Sequence, residues 1–141
     1  MKKLTLLLGV VALLLAGYVA TLQADASSAG AQVFELRTYY AAPGKLDALN
    51  ARFRDHTCKL FEKHGMKNVG YWVPQEQTPG EEKLIYILAH KSREAAAASW
   101  KAFQADPDWH AARDASEKEG KLLAKRPDVV FMNAVDYSPI K

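Results

Sequence analysis

The spacing of apolar and polar residues changes several times along this chain, and each change predicts a new element. Residues 33–39 alternate, so that Glu35 and Arg37 share one face of a predicted strand and apolar residues share the other. Over residues 45–64 the spacing lengthens to three and four, which indicates an amphipathic helix. Gly65 follows at the position where a left-handed residue ends a helix.

Two more strands follow this predicted helix. Residues 68–73 form a short strand that Pro74 ends, and residues 83–90 have the strongest strand pattern of the chain. The polar stretch between them, residues 75–82, predicts a turn. Because residues 83–90 are apolar on both faces, we expect this strand to be buried on both sides.

The last part of the chain predicts a second helical region and a final strand. Ser92 is a suitable N-cap for an alanine-rich helix over residues 93–105. Asp106 and Pro107 then begin a further helical segment, because aspartate is favoured at the N-cap and proline at the first helical position. Residues 129–135 are rich in valine and predict a fourth strand.

The order strand, helix, strand, strand, helix, strand is that of a ferredoxin-like α+β fold. We therefore predict a four-stranded antiparallel sheet covered by helices on one face. The strands at residues 83–90 and 129–135 are nevertheless apolar on both faces. The second face then needs a cover, and we expect a homodimer that pairs through its sheets.

The first 26 residues have a different pattern. A positively charged start, residues 1–3, precedes the uncharged apolar residues 4–20, and Ala24 and Ala26 supply an A-x-A cleavage site. This order is typical of a secretory signal peptide, so we predict that residues 1–26 are removed and that the protein is periplasmic or secreted. The alternative is an uncleaved N-terminal membrane anchor, because an apolar stretch of 17 residues lies at the short end of what spans a bilayer.

Composition limits the remaining choices. The chain has 141 residues, of which 49% are apolar and 25% charged, and this suits a single globular domain. We assign residues 33–137 to that domain, with a flexible segment at 27–32 before it and a tail at 138–141. The net charge is only +3, and basic and acidic residues are interspersed, so we expect no nucleic-acid partner. The single cysteine, Cys58, excludes an intrachain disulfide.

Five short motifs then occur in a fixed order. They are Glu-Leu-Arg-Thr-Tyr at 35–39, Pro-Gly-Lys-Leu at 43–46, His-Gly-Met at 64–66, Gly-Tyr-Trp at 70–72 and Asp-Pro-Asp-Trp at 106–109. Together they resemble the NIPSNAP family of the dimeric α/β-barrel superfamily. The resemblance implies a ferredoxin-like monomer that pairs sheet to sheet into a barrel. It implies no single reaction, since the superfamily includes cofactor-independent mono-oxygenases, isomerases and haem enzymes.

Charged residues within the predicted strands are the first candidates for a site. Glu35 and Arg37 share a strand face with Tyr39, and charges on a covered face must be paired. One interpretation is a structural ion pair near the dimer seam, and the other makes Arg37 an anchor for a carboxylate or another anion. His90 ends the third predicted strand, where it either faces a cleft as a general base or is a buried boundary histidine.

Aromatic residues are the second signal. Those of the strands and the second helical region either form the core or line one apolar pocket between sheet and helices. They are Tyr71, Trp72, Tyr86, Trp100, Phe103 and Trp109. We take as candidate ligand-binding residues Arg37, Tyr39, Trp72, Tyr86, His90 and Trp109. If the protein is an enzyme, its candidate catalytic residues are His90, Tyr86 and Arg37.

Several reaction classes are excluded by missing motifs. The sequence contains no GxSxG, no P-loop, no dinucleotide fingerprint and no CxxC. Its four histidines form no zinc motif, so we expect no metal site and no cofactor, with haem as an alternative. We predict an exported homodimer that binds a small apolar or aromatic molecule or a protein. The alternatives are a cofactor-independent mono-oxygenase or isomerase with a small aromatic substrate, and a haem-binding protein.

Overall fold

The computed structural model describes residues 32–141. The predicted signal peptide, residues 1–26, lies outside the described residues, as does nearly all of the segment 27–32. Strands β1 to β4 are Val33–Tyr40, Lys67–Trp72, Lys83–His90 and Asp128–Asn133. The first helix runs through α1 (Leu46–Arg52), a π-helical turn that we call the π-segment (Phe53–Thr57) and α2 (Cys58–Lys63). Helices α3 (Arg93–Ala105) and α4 (Pro107–Ser116) lie between β3 and β4 in the chain.

The four strands form one antiparallel sheet in the order β2-β3-β1-β4. Helical segments connect β1 to β2 and β3 to β4, which is the ferredoxin-like arrangement. The predicted fold class is therefore confirmed. Within residues 32–141, no helix is both long enough and apolar enough to cross a membrane.

Alternation along the strands divides the side chains between two faces of the sheet. On the face towards the helices, the pairing of β1 with β3 places Glu35, Arg37 and Tyr39 opposite Leu88, Tyr86 and Leu84. Leu49, Phe61 and Phe103 from the helices complete the buried core on this side. A core of this kind holds the first helix and α3 against the two central strands.

The helix ends follow the predicted local chemistry. Gly65 has a φ of +77°, which is the left-handed conformation expected after the first helix. Ser92 Oγ accepts a hydrogen bond of 3.1 Å from the backbone N–H of Ala95 and caps α3. Asp106 caps α4 in the same way, with Pro107 at the first helical position.

The other face of the sheet, which we call the free face, is not covered by any helix of residues 32–141. Most of its side chains are apolar and include Phe34, Leu36, Ile85, Ile87, Val130 and Met132, whereas Thr38 and Asp128 lie at one end of the same face. Val130 at this face is 51% exposed. Residues of the C-terminal segment, Val135 and Ile140, lie beside Phe34 and Ile87 around a shallow pocket. The apolar character predicted for both faces of β3 is therefore present.

Candidate functional site

A cavity of about 250 Å³ lies between the sheet and the helices. Five aromatic residues from four different elements line it: Tyr39, Phe53, Phe61, Phe103 and Trp109. The ring centroids of Phe103 and Trp109 are 4.6 Å apart, and those of Tyr39 and Phe53 are 5.6 Å apart. This cavity is more enclosed than the surface groove of about 480 Å³ between the first helix and α4. It is the most suitable place on the helix side for an apolar ligand.

Arg52 supplies the polar part of the cavity wall. This residue is only 5% exposed, and its Nη1 donates to Glu117 Oε1 at 3.1 Å and to Ser116 Oγ at 3.3 Å. The guanidinium carbon lies 5.1 Å from the centre of the Trp109 ring. Its Nε is also buried and has no hydrogen-bond partner among residues 32–141. One N–H donor of this buried cation is therefore unpaired within residues 32–141.

Charged residues surround the outer part of the cavity. Arg113, Glu117 and Lys121 line it together with Arg52. Glu117 contacts both neighbouring cations, because its Oε2 lies 3.7 Å from Lys121 Nζ. Among the described residues that line the cavity, three side chains are thus cationic and one is a carboxylate.

A second polar cluster surrounds Glu35 on the same side of the sheet. Glu35 Oε2 accepts hydrogen bonds from His90 Nε2 at 2.8 Å and from Trp100 Nε1 at 2.7 Å. Its Oε1 lies 3.5 Å from Arg37 Nη1, and the Arg37 guanidinium carbon lies 4.0 Å from the centre of the Trp100 ring. Burial raises the pKa of Glu35, but the hydrogen bonds from His90 and Trp100 and the charge of Arg37 outweigh it and hold the pKa below its ordinary value.

This cluster bears on the predictions made for the Glu35–Arg37 ion pair and for His90. The Glu35–Arg37 ion pair exists, but it lies beneath α3, on the opposite side of the sheet from the face predicted for dimerisation. The ion pair of the first interpretation is therefore present, and its place relative to a dimer seam stays a prediction. His90 is 2% exposed and contacts Glu35, which agrees with the interpretation as a buried boundary histidine and not with the alternative in which it faces a cleft. Backbone alternation turned both side chains towards the helices, where the core closes over them.

Tyr86 lies behind the cavity, at the centre of the core. It is fully buried and pairs across the strands with Arg37, and its ring centroid is 5.2 Å from that of Tyr39. Burial raises the pKa of Tyr86 well above its ordinary value, so that its hydroxyl stays protonated at neutral pH. That hydroxyl has no hydrogen-bond partner within the described part of the chain.

The six predicted ligand-binding residues are thus only partly brought together. Tyr39 and Trp109 line the cavity, whereas Tyr86, Arg37 and His90 lie in the adjoining core and in the Glu35 cluster. Trp72 does not belong to this group, because it is 52% exposed and pairs with Ile85 on the free face. Its neighbour Tyr71 stacks on Tyr86 on the helix side, with ring centroids 5.3 Å apart. Adjacent residues of a strand point to opposite faces, so placing both in one pocket was wrong.

The most important residue that the sequence analysis missed is Arg52. It follows Leu49 by three positions, on the face of the first helix that is buried. An arginine on that face was the available signal. Its partners Ser116 and Glu117 are distant in sequence, so no local motif reveals them.

The site offers little for a metal or a haem. No group of three or more His, Cys, Asp or Glu side chains suited to a metal ion occurs within residues 32–141. The described lining residues of the cavity include no histidine, so no imidazole is available there as an axial ligand.

Comparison with known proteins gives the family and supports the fold. The NIPSNAP family model matches residues 34–139. A NIPSNAP family protein of Agrobacterium tumefaciens superposes with a TM-score of 0.65 at 21% identity, over 78% of this chain and 94% of the other. A NIPSNAP-like domain protein of Burkholderia xenovorans gives 0.65 at 16% identity, over 77% and 89%.

A mono-oxygenase of Streptomyces coelicolor in complex with nanaomycin D is similar in fold, with a TM-score of 0.51 at 14% identity, over 77% of this chain and 91% of the other. No curated protein matches the chain. The family match covers both the strands and the helices that build the cavity, and it agrees with the motifs found in the sequence. The chain belongs to the NIPSNAP family.

Proposed function

We propose that this protein binds a small aromatic molecule in the cavity between its sheet and its helices. The observation that carries the proposal is the partly open space of about 250 Å³ with five aromatic residues in its wall. Aromatic faces and edges attract other rings in offset and edge-on arrangements, which favours a flat apolar ligand. The volume lies just below the usual range of about 300–1,000 Å³ for ligand pockets, so a ligand of one or two rings fits best.

The same proposal includes a homodimer formed through the free face. Phe34, Ile87 and Val130 lie on a sheet face that the described helices leave uncovered. An exposed apolar sheet face is a typical interaction surface, and a second copy with the same face is a self-complementary partner. The cavity lies on the opposite side of the sheet, so pairing through the free face leaves it accessible.

We further propose that the protein acts outside the cytoplasm. Support comes from the sequence of residues 1–26, with its charged start, apolar stretch and A-x-A site. Mass spectrometry of the mature protein from the cell envelope and the medium tests this directly. An N-terminus at Ser27 agrees with export and cleavage, whereas an intact Met1 in the membrane fraction indicates the anchored alternative.

A mono-oxygenase or isomerase is the second candidate function. The observation that favours it is the pair of buried polar atoms, Tyr86 Oη and Arg37 Nε, which have no partner in the part of the chain that the structure describes. The mono-oxygenase of Streptomyces coelicolor that has a similar fold is in complex with nanaomycin D. However, His90 is buried against Glu35 and lies four residues along β3 from Tyr86, so the three candidate catalytic residues do not converge on one open point.

Calorimetric titration with 2-naphthoate and its uncharged amide, 2-naphthamide, tests the binding proposal. At least one of these two-ring probes should bind, and Trp109→Leu should weaken that binding by about 3- to 10-fold because it removes one aromatic wall of the cavity. Trp72→Leu is the matched control, since Trp72 lies on the free face, and it should leave the affinity unchanged. If neither probe binds, or if both variants weaken binding equally, the cavity is not the site.

A further inference from the structure

We infer that the ligand of this cavity is an aromatic carboxylate, and that Arg52 is the residue that selects for its charge. The inference rests on the proposed function and adds the chemical class of the ligand. It follows from the state of the Arg52 guanidinium, from the balance of charges around the cavity and from the relative positions of the cation and the rings.

Arg52 is a buried cation whose hydrogen bonds are incompletely used. A guanidinium has five N–H donors, and both of its side-chain hydrogen bonds, to Ser116 and Glu117, come from Nη1. Nε is buried and has no partner among the described residues. A buried donor without an acceptor costs about 1–3 kcal/mol, and a charged one costs more. A small rotation of the guanidinium that brings Nε to an oxyanion in the cavity would recover this cost.

The charge balance around the cavity also favours an anion. The described residues that line it include three cationic side chains, Arg52, Arg113 and Lys121, and one carboxylate, Glu117. Glu117 forms ion pairs with both Arg52 and Lys121. Arg113 pairs instead with Asp114, which is adjacent in sequence and exposed, and which does not line the cavity. Positive charge is therefore in excess where a ligand would enter, and it would both attract and hold an oxyanion.

The position of Arg52 relative to the rings defines an amphipathic ligand. Its guanidinium carbon lies 5.1 Å from the Trp109 ring centre, and the Phe103 ring centroid lies 4.6 Å from that of Trp109. A ligand that places its carboxylate on Arg52 therefore has its apolar body among the aromatic residues. Arginine suits this role because its planar fork matches the geometry of a carboxylate.

Calorimetry with the two probes at low ionic strength tests the inference. Wild-type protein should bind 2-naphthoate at least about tenfold more tightly than 2-naphthamide, because only the acid forms a charge-assisted bond with Arg52. Arg52→Lys keeps the positive charge but removes the planar fork, and it should reduce the preference for the acid while leaving the affinity for the amide within about twofold.

A surface variant keeps the test valid if changes at the buried Arg52 disturb folding. Lys121→Gln, at a residue whose side chain is 85% exposed, should weaken binding of the acid a few-fold and leave binding of the amide unchanged. Lys101→Gln, on the exposed side of α3, is the matched control and should change neither. Equal affinity for acid and amide in the wild type overturns the inference but leaves the binding proposal intact. Failure of both probes to bind overturns both.

Discussion

Asp106 joins two helices through a single buried carboxylate. Its Oδ1 accepts a hydrogen bond of 2.8 Å from the backbone N–H of Asp108 and caps α4. Its Oδ2 accepts from Lys63 Nζ at 2.8 Å and from His64 Nε2 at 2.6 Å, at the end of the first helix. The hydrogen bonds from Lys63 and His64 hold the pKa of Asp106 well below its ordinary value of 3.8. A carboxyl group with a lowered pKa in the folded state stabilises the fold above the unfolded-state value, and this contribution is lost as the pH falls towards the folded-state value.

The variant Asp106→Asn separates the cap from the ion pairs. Asparagine is an equally good N-cap, so the variant should lose mainly the interactions with Lys63 and His64. We expect it to lower the free energy of unfolding at pH 7, and the difference from wild type to shrink at pH 3, where the wild-type carboxylate is losing its advantage. Urea denaturation at both pH values measures this. Asp108→Asn, at an exposed residue that contacts the same lysine, is the control and should have a smaller effect.

Residues that depend on their sequence neighbours were predictable, and those that depend on distant partners were not. The roles of Gly65, Ser92 and Asp106 at helix ends follow from backbone geometry within a few residues, and all three predictions are confirmed. The role of Arg52 depends on Glu117, which lies 65 positions away, and nothing local in the sequence indicates that pairing. The ligand-binding role proposed for Tyr39 and Trp109 remains a prediction.

At the scale of elements, the π-segment is the feature that shapes the cavity. The Cys58 N–H donates to the Phe53 carbonyl, five residues back, instead of the four that an α-helix uses. Thr57 Oγ1 adds a hydrogen bond of 3.2 Å to the Arg52 carbonyl within this widened turn. Arg52, Phe53 and Thr57 all line the cavity, so the irregular turn lies where the site is proposed. Such turns are frequent at functional sites.

Deleting the exposed residue Arg54 should convert the π-segment into ordinary α-helix. Because the wide turn contains one residue more than an α-turn, both ends of the first helix would keep their buried faces, and we expect a loss of stability of at most about 2 kcal/mol. Deleting Lys101 from the regular helix α3 is the control. It would rotate Phe103 by about 100° out of the core and cost about 4 kcal/mol or more. Circular dichroism during urea denaturation compares the two, and equal losses would contradict this account of the turn.

The sequence pattern identified the strands and most of the helices, but not this turn. Strand alternation and breaking residues are local signals, so the four strands lie within one or two residues of their predicted positions. The first helix was expected to be regular over residues 45–64, since its apolar spacing of three and four fits an α-helix. The cost of the wider turn is offset by contacts with the sheet and with α4, and these contacts are not visible in the periodicity of one helix.

For the whole molecule, the unequal covering of the sheet is the dominant property. Helices close one face over a continuous core, while on the free face none of the helices between residues 32 and 141 lies above apolar residues such as Ile87 and Val130. The fold class could be predicted from element order. The cavity could not, because it is formed by residues from β1, the first helix, α3 and α4 that meet only in three dimensions.

Ile87→Glu tests whether two copies meet at the free face. Ile87 lies in a central strand, and burying a carboxylate there without a partner should raise the dimer dissociation constant by about 100-fold or more. Ala98→Glu introduces the same charge on the exposed side of α3 and should have no effect. Analytical ultracentrifugation should find dimers for wild type and Ala98→Glu and monomers for Ile87→Glu, with circular dichroism confirming that all three are folded. A monomeric wild-type protein at tens of micromolar would contradict the proposed pairing.

The C-terminal segment has a practical consequence for such measurements. Val135 and Ile140 share a shallow pocket with Phe34 and Ile87, so residues 135–140 lie beside the free face. An affinity tag fused after Lys141 would emerge next to the surface where the copies are proposed to pair, and its bulk would alter the association being measured. Hydrodynamic work on this protein therefore calls for a tag that is cut away before the sample is loaded.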